Sequence, residues 1–139
     1  MLVAARSLYF ENSVGRVWEE PARYLRLEYK PGPRVEANFC ALLNHAAQAL
    51  QRRQWHRILV DQSRMAPFTP GEQAWMSSEW LPRAVHEHGY RYGAVVVAQN
   101  VFARLAMTQL VMATRELPHT YRTFENEPEA TAWLLGPLG

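Results

Sequence analysis

Apolar and polar residues change rhythm several times along this chain, and each change predicts an element. "SLYFEN" (7–12) and "GRVWEE" (15–20) are strand-like runs around the turn residues Asn12-Ser13-Val14-Gly15, which predicts a β-hairpin. Glu20-Pro21-Ala22 is a break, because proline lacks the N–H that a central strand needs. "RYLRLEYK" then alternates, with Tyr24, Arg26, Glu28 and Lys30 on one side and Leu25, Leu27 and Tyr29 on the other. That period of two predicts a half-buried strand. Beyond "KPGPR", a turn of fixed-φ proline and permissive glycine, the period lengthens. Val35, Phe39, Leu42, Leu43, Ala46 and Leu50 recur at helical spacing while Gln48, Gln51 and Arg52 take the other face, predicting an amphipathic helix over 35–53.

"WHRILV" (55–60) is a short buried strand that delivers Asp61. "TPGEQAWMSSEWLPRAVHEHG" (69–89) reads as helix, with Thr69 as N-cap, Pro70 at N1 and Glu72 at N3 in a capping-box arrangement. Pro82 is expected to break or kink it, and Gly89 to follow its end. "YRYGAVVVAQ" (90–99) is apolar on both faces, as a central strand is. Asn100 then caps a helix over roughly 101–116, with Phe102, Leu105, Ala106 and Ala113 as its core stripe, and Pro118 bars continuation. "TYRTFEN" (120–126) is a last strand, and Asn126 caps a final helix whose Trp133 and Leu134 pack on the sheet. Strands alternating with helices mean βαβ units and parallel pairing. The expected fold is α/β, a single domain over 1–139, with a mixed sheet whose N-terminal strands are antiparallel and whose helices pack on it.

Composition narrows the function classes. The 139 residues suit one domain, and 48% apolar content with five tryptophans supplies a packed core. A formal charge of +2 is too small to argue for nucleic acid, Lys30 is the single lysine, and Arg52-Arg53 with Arg57 is the only local basic cluster. No apolar run approaches the ~20 residues that span a bilayer, and the start "MLVAARSLYFEN" turns polar too soon for a secretory leader. Cys40 is the only cysteine, which excludes an intramolecular disulfide framework and makes a reducing, cytoplasmic setting the expectation. Its place beside the apolar stripe of 35–53 is that of core filler.

Candidate chemistry concentrates in "LVDQSRMAPFTPGEQAW" (59–75), where a strand ends in Asp61, Gln62, Ser63 and Arg64. In open α/β sheets, ligands gather beyond the carboxyl ends of parallel strands, and the capped start at Thr69 lies just downstream. Three readings are open: a serine nucleophile, a phosphoacceptor at Ser63, or an Asp61 that holds loop amides. No G-x-S-x-G elbow surrounds Ser63, and neither phosphate-binding glycine motif occurs, which disfavours hydrolase and mononucleotide chemistry. His86 and His88 are two apart, not the i, i+4 of a zinc helix, and with His45, His56, His119 and Cys40 they form no ligand set. Neither a metal nor a cofactor is expected. Met65, Phe68, Trp75 and Trp80 add an apolar, aromatic segment beside the loop, read as a partner-binding face, the lining of a ligand pocket, or cover for the sheet edge.

"WHRILVDQSRM", "EWLPRAVHEHGYRYGAVVVAQNVFARLA" and "YRTFENEPEATAWL" resemble the STAS/SpoIIAA-like family of small bacterial α/β proteins over 9–135. The shared pattern is a strand ending in Asp, a Trp-containing helix, an alternating strand before a helix, and an ending that here is Phe124, Ala130, Trp133 and Leu134. The resemblance implies a non-catalytic regulatory module that binds a protein partner, self-associates as such domains often do, or carries a small apolar, lipid-like ligand. It places the family's phosphoacceptor serine at Ser63, with Gln62 and Arg64 standing where the family has small residues. The expected binding surface is then Asp61, Gln62, Arg64, Met65, Phe68, Trp75 and Trp80.

Overall fold

The structure, a computed structural model, describes residues 5–137, so the first four residues of "MLVAARSLYFEN" lie outside it. Six strands form one sheet in sequential order: β1 (Ser7–Glu11), β2 (Gly15–Glu20), β3 (Tyr24–Tyr29), β4 (Arg57–Asp61), β5 (Tyr92–Val96) and β6 (Thr120–Phe124). β1, β2 and β3 pair antiparallel as the hairpin and meander predict, and β3 through β6 pair parallel. The crossovers are α1 (Glu36–Arg53), the run α2 (Pro70–Trp75), a π-helical turn (Met76–Trp80) and α3 (Leu81–Glu87), then α4 (Val101–Ala113). Consecutive parallel crossovers of one hand place their helices on the same face of the sheet, and the main core lies beneath these three. The last helix, α5 (Glu127–Leu135), covers the opposite face through Ala130 and Leu134 against Tyr24, Leu59 and Ala94.

Strand alternation sorts the two layers. Leu25 pairs with Ile58 and Leu27 with Val60, and these point into the main core. Arg26 pairs with Leu59, which pairs with Ala94, and that row points toward α5. Here β3 departs from its half-buried expectation: Tyr24 and Arg26 are 7% and 8% exposed, because α5 and its Glu127 sit on the side predicted to meet solvent. On β5, a Cβ at Gly93 would lie 2.4 Å from both the Tyr90 hydroxyl and the Tyr121 ring, so the absent side chain is what lets these rings rest on the sheet.

The helix at 69–89 starts as predicted. The Thr69 hydroxyl accepts from the Glu72 N–H, and the Glu72 carboxylate accepts from the Thr69 N–H at 2.9 Å. At Pro82 the chain does not break. It widens into the π-helical turn, where Leu81 N–H reaches back to Met76 C=O, and Pro82 enters α3 at its start, where its missing N–H costs nothing. Gly89 follows with φ +80, as expected of a residue just past a helix end.

Two apolar assignments change. Val35 is the N-cap of α1 and exposed, outside the buried stripe. On α4, Phe102, Leu105 and Ala113 are exposed, and of the predicted stripe only Ala106 is buried. Apolar residues line both sides of this helix, so periodicity could not choose between them. The side with small residues, Ala103 and Ala106 with Met107 and Leu110, is the one that turns inward.

Candidate functional site at the carboxyl end of the sheet

Asp61 ends β4 with both carboxylate oxygens in use. Oδ2 accepts from Arg26 Nη2 at 2.8 Å, and Oδ1 accepts from the Ser63 N–H at 3.0 Å and its hydroxyl at 2.7 Å. Arg26 is shared with Glu127 of α5, whose carboxylate it meets at 2.8 Å and 3.1 Å. The loop is tied onward by Gln62 N–H to Val96 C=O and by Gln99 N–H to Ser63 C=O, so Ser63 borders the β5–α4 connection. Chemically this is a loop closure. A serine nucleophile needs a base free to take its proton, whereas the one partner of the Ser63 hydroxyl among the described bonds is an Asp already matched by arginine. Ser63 is half-buried and Arg64 exposed, so the turn itself is reachable from solvent.

The rest of the predicted surface has gone inside. Gln62, Met65, Phe68 and Trp80 are 2%, 2%, 6% and 3% exposed, and Trp80 Nε1 donates to Leu43 C=O at 2.7 Å. Met65, Phe68 and Trp80 join the main core, with Phe39 and Phe68 edge to face, while Gln62 meets Met107 of α4 and Trp75 is left half-buried against Phe39. What draws the loop in is Arg34, unmarked by any sequence pattern. Its guanidinium forms a bidentate pair with Glu72 at 2.8 Å and 2.7 Å and donates to the carbonyls of Ala66 and Pro67. Both side chains of this pair are 4% exposed. Burial pushes the Glu72 carboxyl up, but the Arg34 bonds and charge with the Thr69 backbone bond outweigh it and hold it below the usual range.

The exposed apolar surface at this end is instead on α4. Val101, Phe102, Leu105 and Met112 are 67%, 69%, 55% and 59% exposed, and Arg104 is the helix's one charged residue. Asn100 caps its start, accepting from Phe102 N–H and Ala103 N–H, and so holds this stripe beside the Ser63 turn. Between α4 and β6 lies a groove of about 500 Å³ floored by Gln62, Met107 and Tyr121. A sequence signal for the stripe did exist: one charged residue in thirteen is too few for a helix with only one buried face.

Burial, with Glu36 nearby, pushes the Cys40 thiol up, which leaves it protonated and a poor nucleophile. Among the described residues no three His, Cys, Asp or Glu side chains gather as a metal site, and no helix is long and apolar enough to cross a membrane.

One family model, SpoIIAA-like, matches residues 32–135, and the mixed sheet with helices packed on it is consistent with that family. No curated protein and no solved structure matches the chain. The family is in general one of non-catalytic regulatory and interaction modules. With most of its length covered, from the turn before α1 to the end of α5, this chain belongs to the SpoIIAA-like family.

Proposed function

We propose that the protein is a non-catalytic regulatory module that binds a protein partner on the outer face of α4, next to the Ser63–Arg64 turn. The observation that carries this reading is the exposed stripe of Phe102, Leu105 and Met112. Helices apolar all round belong in interiors, and this one has one side in water. Residues three and four apart on one face are the anchors of helix-mediated recognition. Arg64 at the turn and Arg115 past the end of α4 are exposed, with Arg104 paired to Glu125 between them, so the complementary partner is an apolar segment flanked by acidic residues.

Ser63 is the control point in this reading. Phosphorylation there would break the bond to Asp61 and add a charge of about −1.5 to −2 beside that carboxylate. An acidic partner would then be repelled from the turn. Photo-crosslinking in the native cell tests the surface. A crosslinking amino acid at Phe102 or Leu105 should give one discrete protein adduct that is absent when the same group replaces Arg83 on α3. The same adduct from all three positions, or an adduct of twice the chain's own mass, contradicts the proposal. Intact-mass analysis of the protein from those cells tests the switch, which fails if Ser63 is unmodified with and without partner.

A further inference from the structure

We infer that the groove between α4 and β6 is a small-molecule site built around the Gln62 amide. Its ligand is a neutral molecule that presents a primary amide or lactam edge on an apolar body. Gln62 is 2% exposed, and the one side-chain hydrogen bond described for it runs from Nε2 to the Met107 sulfur at 3.3 Å. A thioether is a weak acceptor, while an amide carries two N–H donors and a carbonyl oxygen. Among the described bonds most of this amide's capacity is therefore unspent, and because Oε1 is not one of the sealed atoms without a partner, a ligand or an ordered water can meet it.

The surroundings say which. Gln62, Met107 and Tyr121 line both the groove of about 500 Å³ and an inner void of about 10 Å³ in the core. The void is large enough for about one water, whereas the groove has the size of an ordinary small-molecule site. Much of the groove's wall, Val97, Val111 and Met112 with Met107, is apolar, and Thr108 and Thr123 add hydroxyls. A charged head group brought against Gln62 there would lose its hydration with no counter-ion to replace it. Of the ionic residues that line it, Arg104 and Glu125 already pair with each other at 3.1 Å, and the Arg122 guanidinium lies over the Phe124 ring. An amide or lactam edge sets one donor and one acceptor side by side, the complement of Gln62's own two ends. This site adjoins the docking face on α4, sharing Met112 and the Arg104–Glu125 pair at its rim.

The probes are 3-phenylpropanamide and 3-phenylpropanoate, equal in size and different in head-group charge, titrated into ¹⁵N- and methionine-methyl-labelled protein. The amide should bind at least about tenfold tighter than the carboxylate, as expected when one buried polar contact is made or lost. Its shifts should fall on the Gln62 side-chain N–H₂ and the Met107 and Met112 methyls. Gln62→Leu should abolish the preference, with fold checked by the tryptophan indole signals. Thr108→Trp, at an exposed position on the groove wall, should block the amide without touching the core. The inference is overturned by no saturable shift at millimolar probe, by equal affinity for the two probes, by shifts on Phe102 and Leu105 instead, or by a preference that survives Gln62→Leu. A surviving preference would assign the amide's unmet bonds to a water in the inner void. Binding of the probes and crosslinking on α4 can fail independently, so each reading keeps its own test.

Discussion

Arg34→Met gives the sharpest test of how the functional loop is held. The substitution keeps the aliphatic length that packs over Phe39 and Phe68, but removes every bond to Glu72, Ala66 and Pro67. Glu72 is left 4% exposed with its charge matched only by the Thr69 N–H. Breaking one side of a buried ion pair costs about 3–5 kcal/mol. With a urea slope of about 1–3 kcal/mol/M for a protein of this size, the midpoint should fall by roughly 2 M. The pH dependence is more telling than the size. In the wild type the folded pKa of Glu72 lies below its unfolded value of about 4.3, so its contribution is full above that pH and is lost as pH falls. In the variant, burial is opposed only by the Thr69 bonds, and the folded pKa rises above the unfolded one. Acid then protonates the buried carboxyl and relieves the penalty, so the stability gap should narrow as pH drops from 7 toward 4.5. Arg34→Met combined with Glu72→Leu should recover most of the loss. Urea melts across that pH range decide it. A loss under about 1 kcal/mol, or a gap that does not change with pH, would refute the reasoning.

Other outcomes follow from single contacts. Gly93→Ala should cost about 1–3 kcal/mol by driving a methyl into Tyr90 and Tyr121, read from urea melts. Burial lowers the His119 pKa against the opposing pull of the Leu117 carbonyl. Because that folded pKa lies below the unfolded value of about 6.5, stability should fall as pH drops from 7 through 6. His119→Phe, which removes two buried ring nitrogens without a well-formed bond, should flatten that stretch of the profile. Asp61→Ala should speed amide exchange at Ser63 and Gln99 far more than Ser63→Ala does, since Asp61 carries the Arg26 contact and both Ser63 bonds. Equal effects in the two variants would show that the turn is not closed through Asp61.

Much of this architecture is written locally. Thr69, Pro70 and Glu72 spell a capping box, and the alternation in β3 and the apolar run of β5 mark both as strands. These signals act within a few residues and survive folding. What sequence could not show is set by partners far along the chain. Arg26 is buried because Glu127, 101 residues later, covers it. Met65 and Phe68 are in the core because Arg34, from before α1, ties down the loop that carries them, and Trp80 because its indole bonds Leu43 C=O of α1. The rotation of α4 was undecidable for a different reason, since apolar residues occupy both of its sides and only packing against the π-helical turn and sheet selects one. The turn beyond Asp61 was legible, but which side chains face solvent there was not.

The central claim is that the exposed stripe of α4 is the partner surface. Its most direct test is the affinity of the crosslinked partner, once purified, for wild type and for Phe102→Ala/Leu105→Ala. Both positions are more than half exposed, so the double variant should lose under about 1 kcal/mol of stability. As buried anchors of an interface, they should weaken binding by at least about tenfold when truncated. Unchanged affinity in a variant that melts like wild type would contradict the account.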